Sequence, residues 1–153
     1  MKRKIFAAFL AVLTFTFAGC GAKKDVELDI DALASDLVSG IVFDDEMSII
    51  DDGMIPMIYS NGEVYDDAVL YMGSGATAEE IAVFECENDT RAKGALEEAK
   101  SHIESQIISY EDYIPAEVQR LEQAVVRQAG RYVIVAVTGD PDAAEKIIDN
   151  HLK

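Results

Sequence analysis

The sequence predicts an α+β fold: a small, largely antiparallel three-stranded sheet packed with about four helices and preceded by a cleaved signal peptide. Two observations lead to this fold class. Three short runs of apolar and β-branched residues have the character of strands, and four longer segments repeat apolar residues every third or fourth position, as amphipathic helices do. Their order is helix, unassigned segment, strand, strand, helix, helix, strand, helix, with no internal repeat.

The predicted strands cover residues 67–72, 79–86 and 131–138. The first two are separated by the glycine-containing stretch 73–78. The second strand is apolar on both faces, so we expect both faces to be covered. The third contains Tyr-Val-Ile-Val-Ala-Val, which is also apolar on both faces, and it should be the most buried strand.

The predicted helices are marked by capping residues and by prolines. The first starts at Asp29 or Asp31 and stops near Gly40, the second starts at Asn88-Asp89-Thr90, and the last follows Asp140-Pro141. Pro115 ends the second helix and starts a third one, which lies between the second and the last helix in the sequence. This third helix has the apolar face Val118, Leu121 and Val125, and Gly130 stands where its C-terminal cap would be.

Residues 43–66 have no clear periodicity, because acidic residues, Gly53 and Pro56 interrupt it. Short helical turns joined by loop are the favoured interpretation. Two alternatives stay open: a broken helix over 47–58, and a hairpin turning at Asn61-Gly62.

The N-terminus has the order of a secretory signal peptide. Lys2, Arg3 and Lys4 precede an uncharged apolar run that is too short for an ordinary membrane-spanning helix. The following Phe17-Ala18-Gly19-Cys20 resembles the lipobox of bacterial lipoproteins, with Phe17 where an aliphatic residue is usual. A plain signal peptide or an uncleaved anchor would be the alternatives.

The lipobox resemblance implies three parts. Residues 1–19 would be the lipoprotein signal peptide, 20–28 a lipidated Cys20 with a short tether, and 29–153 a single α+β domain. Two acyl chains suffice for stable attachment, so we expect a protein held at the extracytoplasmic face of the cell membrane.

The chain is strongly acidic, with 13 Lys+Arg against 29 Asp+Glu and a formal charge of -16. Residues 1–19 hold three of the positive charges and no acid, so the chain from Cys20 onward carries -19. This charge argues against nucleic acid as a partner and against binding flat on an anionic membrane. Because 50% of the residues are hydrophobic, a disordered chain is excluded as well.

The isolated chemical groups do not form a recognisable site. With Cys20 lipidated, Cys86 has no partner for an internal disulfide, and burial as a small apolar residue is expected. His102 and His151 lack a cysteine or second histidine at ligand spacing, so we predict no zinc site. Tyr110 and Tyr113 either cover the end of the core or line a groove.

Three further patterns are weighed and set aside. Residues 73–78 match a dinucleotide fingerprint, but the run that follows alternates like a strand, whereas pyrophosphate binding needs a helix. The acids between Asp44 and Asp52 lack the spacing of a calcium loop. Glu79 and Glu80 would point to opposite faces of a strand and could not act jointly as acid and base.

Several stretches resemble the family called domain of unknown function 4358. They are Asp67-Ala68-Val69, the run from Ser74 to Phe84, Tyr113-Ile114-Pro115 and Gly130-Arg131-Tyr132-Val133. The resemblance implies a small lipoprotein with one domain over most of residues 29–153, and it brings no established activity. It also implies that residues 59–66 connect into the first strand.

The sequence therefore predicts a lipid-anchored envelope domain that binds a protein or small-molecule partner without being an enzyme. We predict no catalytic, cofactor-binding or metal-binding residues, and Cys20 is the one assigned site residue. The alternative is a hydrolase-type enzyme with a site built from scattered acids and tyrosines.

Overall fold

The computed structural model of the chain describes residues 26–59 and 65–153. The ten elements found there are α1 (Ile30–Gly40), β1 (Ser48–Ile49), α2 (Ile55–Ile58), β2 (Asp67–Met72), β3 (Glu80–Glu85), α3 (Asp89–Glu111), α4 (Ala116–Glu122), β4 (Val125–Ala129), β5 (Tyr132–Val137) and α5 (Pro141–His151). Within this part of the chain, no helix has both the length and the apolar character needed to cross a membrane.

The strands form one five-stranded antiparallel sheet in the order β1-β2-β3-β5-β4. The central strands β3 and β5 pair along their whole length, with Val83 opposite Ile134. All six residues of β5 are buried, which confirms the prediction that this strand is the most enclosed.

Helices cover both faces of the sheet. Ala82 and Phe84 of β3 face the layer that contains α3, whereas Ile81 and Val83 face the layer that contains α1 and α5. The two apolar cores are therefore separated by the sheet. This arrangement explains why β3 and β5 are apolar on both sides.

The predicted caps are confirmed. Asp29 accepts a hydrogen bond from the Ala32 amide at 2.9 Å, and Asp140 accepts one from the Ala143 amide at 3.0 Å. The Asn88 side chain accepts two amide hydrogen bonds at the start of α3. Each cap satisfies amides that have no carbonyl partner within their helix.

The prediction of three strands is wrong, and the larger error concerns residues 115–130. The helix after Pro115 ends at Glu122, and Val125 belongs to β4, which forms a hairpin with β5. Ala129 pairs with Tyr132 across the two-residue turn Gly130-Arg131, and Gly130 has a φ of 58°. A helix C-cap and this hairpin turn both favour glycine at positive φ, so Gly130 fits either structure.

The other additional strand lies in the segment that the sequence left unassigned. Ser48 and Ile49 pair with the end of β2, and a two-residue strand is too short for alternation to reveal it. A hairpin turning at Asn61-Gly62 would need a strand just before the turn, but residues 55–58 form the short helix α2. The alternative of a broken helix over 47–58 is wrong for its first part, because Ser48 and Ile49 form β1. The Asn61-Gly62 turn itself lies outside the described residues.

Candidate functional site

Three polar side chains meet inside the core between the sheet and α3. Tyr59 follows α2, Glu80 is the first residue of β3, and His102 lies in the middle of α3. They are 4%, 2% and 9% exposed, respectively. Glu80 shares the strand face of Ala82 and Phe84, so the alternation of β3 directs its carboxylate into this core.

Each carboxylate oxygen of Glu80 has a partner. The Tyr59 hydroxyl donates to Oε1, and His102 Nε2 lies 2.9 Å from Oε2. The Tyr59 and His102 rings stack with centroids 4.2 Å apart. Burial and the neighbouring Glu80 charge raise the pKa of Tyr59 well above its ordinary value, so the hydroxyl stays a neutral donor.

His102 also borders a surface cleft of about 160 Å³. The cleft is lined by Ile58, Glu98, Ser101, His102, Ser105 and Gln106. An imidazole held by a carboxylate beside a cleft can in principle transfer protons. However, the Ser105 hydroxyl donates to the Ser101 carbonyl at 2.9 Å, which turns it towards its own helix instead of towards the imidazole.

A second polar group, which we call the Arg120 cluster, has two buried carboxylates at its centre and consists of Arg120, Glu79, Glu117, Asp44 and Thr77. Arg120 Nη1 lies 3.1 Å from Glu79 and 3.0 Å from Glu117, and its other terminal nitrogen pairs with Asp44. Glu79 and Glu117 are 2% and 8% exposed. One guanidinium therefore contacts both buried carboxylates and supplies their shared counter-charge.

The Arg120 cluster ties three parts of the chain together. Glu79 accepts hydrogen bonds from the backbone amides of Asp44 and Asp45 and from the Thr77 hydroxyl, all within 3.0 Å. Glu117 accepts one from the Ala78 amide at 2.8 Å. The approach to β1, the β2–β3 connection and α4 are thereby fixed to one another.

Asp45 makes a further contact to the β2–β3 connection. Its Oδ2 accepts hydrogen bonds from the amide and the hydroxyl of Ser74, both at 2.7 Å, and these bonds lower the pKa of the Asp45 carboxyl. A Cβ at Gly73 would stand 2.9 Å from the same oxygen, so glycine permits this close approach.

The structure separates the two acids that are neighbours in sequence, because Glu79 joins the Arg120 cluster and Glu80 joins Tyr59 and His102. The stretch 73–78 leads into strand β3 and not into a helix, which removes the basis for pyrophosphate binding. Among the described residues, no group of three or more His, Cys, Asp or Glu could hold a metal ion.

The remaining candidate residues do not form a shared site, although the Tyr110 and Tyr113 rings lie with their centroids 6.4 Å apart. Cys86 is buried as expected, and burial raises its pKa to about 11. His151 pairs with Asp36 at 2.9 Å. The Tyr110 hydroxyl donates to the Thr77 carbonyl, whereas Tyr113 is 72% exposed. Cys20, the predicted lipidation site, lies outside the described residues.

Sequence reasoning missed both buried polar groups. A signal existed for one of them, because Glu80 and His102 occupy inward positions of a strand and a helix that are otherwise apolar. A polar residue at such a position needs a buried partner. The pairing itself spans 22 residues and depends on how α3 lies on the sheet.

The fold and these groups define a three-layered α+β domain, with an antiparallel sheet between two helical layers, in which the buried charged side chains are paired internally. A family model described as Domain of unknown function (DUF4358) matches residues 43–138. The chain belongs to this family. Comparison of the chain with curated proteins and with solved structures found no match in either set.

Proposed function

We propose that this protein is an exported lipoprotein, held at the outer face of the cell membrane by a lipid on Cys20, and that its domain binds a partner protein there. In this proposal the domain is not an enzyme. The lipid supplies the location, and the folded domain supplies the binding surface.

The leader supports the location. A basic start, an uncharged apolar run and the lipobox-like Phe17-Ala18-Gly19-Cys20 occur in the order that export and lipidation require. The -19 charge of the remaining chain disfavours contact with anionic lipid headgroups. The acyl chains would therefore hold the domain without help from its surface.

One observation carries the binding function: exposed large hydrophobic side chains are concentrated in one stretch. Six such residues occur in the described part of the chain, and four of them lie between Val42 and Met57. Exposed apolar residues scattered singly need no explanation, whereas this short stretch of chain offers four of them to a partner that lies along it.

Metabolic labelling with a fatty-acid probe tests the anchor. We expect label on the wild-type protein and none on Cys20→Ser. Cys86→Ser is the matched control, because it removes the other cysteine, which is buried in the core, and should leave the label unchanged. Label that persists on Cys20→Ser would refute the anchor.

A hydrolase is the second candidate, and the Glu80–His102 pair beside the cleft favours it. Its test is hydrolysis of a panel of small esters by the wild type and by Ser101→Ala and Ser105→Ala. Loss of turnover in a folded serine variant would support the enzyme. Equal rates in all three proteins would leave the serines without a catalytic role.

A further inference from the structure

The segment from Val42 to Met57, which we call the docking segment, combines exposed apolar side chains with uniform negative charge. Val42 is 90% exposed, Ile49 64%, Met54 48% and Met57 75%. The same segment contains five acids and no lysine, arginine or histidine. The acids are Asp44, Asp45, Glu46, Asp51 and Asp52.

Buried side chains and backbone hydrogen bonds fix the docking segment to the domain. Ile41 and Ile55 are buried, one just before the segment and one within it. Between them, the Asp44 and Asp45 amides donate to the buried Glu79 carboxylate. The exposed side chains are thus carried on an ordered backbone, which reduces the entropy lost when a partner binds.

Among the described residues, the segment also forms an outer edge of the sheet. β1 is an outer strand, paired on one side with β2. The Ile50 amide donates to the Leu70 carbonyl at 2.8 Å, which makes these two residues a hydrogen-bonded pair. In an antiparallel ladder the preceding residue, Ile49, then directs its own N–H and C=O away from β2, towards the open edge.

Charge decides which occupant fits this surface. Asp44 is paired with Arg120, but a second copy of the chain would still bring the exposed Glu46, Asp51 and Asp52 against acids of the same segment, and an anionic membrane would repel them as well. A basic polypeptide offers the opposite charge, and its aliphatic side chains or lysine stems can cover the exposed methionines, whose flexible thioethers adapt to different shapes.

We propose that the docking segment binds an extended segment of a second protein that is rich in lysine or arginine, and that this segment pairs with the open edge of β1. Adding a strand to a free edge is an established form of peptide recognition. The inference rests on the proposed partner-binding function and names the surface and the chemistry of the partner.

The experiment is photo-crosslinking in intact cells that express the full-length lipoprotein. Benzoylphenylalanine replaces Ile49 or Met57 in the docking segment. In matched controls it replaces Ile108 or Tyr113, which are 70% and 72% exposed and lie in and just after α3. Mass spectrometry then identifies the crosslinked peptide.

Charge reversal supplies the second arm. Glu46→Lys with Asp52→Lys changes two exposed acids of the docking segment, and Glu104→Lys with Glu111→Lys makes the same change in net charge on α3. We expect the first pair to lower the crosslink yield at Ile49 at least about tenfold, because like charges then face each other across the interface. The second pair should leave that yield unchanged.

The inference is supported if Ile49 and Met57 crosslink to a peptide of net positive charge and the yield responds only to the first pair. Crosslinks to a second copy, to lipid or to an acidic peptide overturn it. Crosslinks at Ile108 or Tyr113 alone overturn it while leaving the partner-binding function standing. Crosslinks at none of the four positions count against both.

Discussion

Replacing Arg120 tests the energetic role of the Arg120 cluster. Arg120→Met retains a long, unbranched side chain but removes the cation that lies 3.1 Å from Glu79 and 3.0 Å from Glu117. Both carboxylates would then stay buried without their counter-charge. Removing one partner of a buried ion pair is much more destabilising than removing an exposed one.

The expected loss is about 3 kcal/mol of unfolding free energy, the lower end of the usual range of about 3–5 kcal/mol for breaking a buried pair. The lower end applies because Glu79 keeps three other donors, namely two backbone amides and the Thr77 hydroxyl. The contact with Asp44 adds little, because that side chain is 72% exposed.

Arg127→Met is the matched control. Arg127 also contacts two carboxylates, Glu145 at 2.9 Å and Asp149 at 2.7 Å, but those side chains are 48% and 57% exposed. Its removal should cost less than about 1 kcal/mol. The comparison holds residue type constant and contrasts an arginine that has two buried carboxylate partners, besides the exposed Asp44, with one whose two partners are both exposed.

The measurement is urea unfolding of the purified full-length protein in mild detergent, followed by far-ultraviolet circular dichroism. With a slope of about 2 kcal/mol per molar urea, Arg120→Met should lower the midpoint by about 1.5 M. Adding Glu79→Gln to Arg120→Met should recover part of the loss, because it removes one uncompensated charge. Equal midpoint shifts for Arg120→Met and Arg127→Met would refute the reasoning.

The further predictions concern single residues, namely Tyr59, Cys86 and Gly130. Tyr59→Phe leaves one oxygen of a buried carboxylate without its donor and should cost roughly 1–3 kcal/mol in the same unfolding assay, whereas Tyr113→Phe, at an exposed ring, should cost nothing measurable. Because burial raises the pKa of Cys86 to about 11, its thiol should resist iodoacetamide at pH 8 until urea unfolds the chain, and rapid alkylation of the native protein would contradict this. The raised pKa means that the folded state holds the thiol proton more tightly, so the associated stability should be complete below about pH 9 and be lost as the pH rises towards 11. Gly130→Ala should cost roughly 1 kcal/mol because of its φ of 58°, while Gly139→Ala, which has open space and no positive φ, should be neutral or slightly stabilising.

The elements that depend on local patterns could be predicted from the sequence. The strand 67–72 has the same limits in the structure, and Asp29, Asn88 and Asp140 act as the expected caps. These features depend on alternation and on side chains that bond to nearby amides, so neighbouring residues contain the information.

The parts that could not be predicted depend on distant contacts. Val125 extends the helical spacing of Val118 and Leu121, yet pairing with β5 places it in a strand. The sequence places Glu79 and Glu80 on opposite faces of a strand, but it does not identify their partners, Arg120 on α4 and His102 on α3. Tertiary packing decides both cases, and local propensity does not.

The packing of the chain just before α1 bears on how the domain would stand on a membrane. Leu28 is buried, and Val26 lies beside the Gly130 turn. A Cβ added to Gly130 would be 3.5 Å from the Cβ of Val26. Five residues separate Cys20 from Val26, a distance of at most about 20 Å when extended. An anchor on Cys20 would therefore keep the β4–β5 turn near the bilayer.

The start of β1, within the docking segment, lies at the other end of the sheet. Ser48 pairs with Met72, Met72 pairs with Glu80, and Glu80 pairs with Val137, which is the last residue of β5. The β4–β5 turn lies just before Tyr132, the first residue of β5. One strand length, roughly 17 Å, separates these ends. β1 and β4 are also opposite edges of the sheet. With Cys20 as its attachment point, the domain would present the start of β1 outward, where a partner could approach this edge without passing close to the lipid.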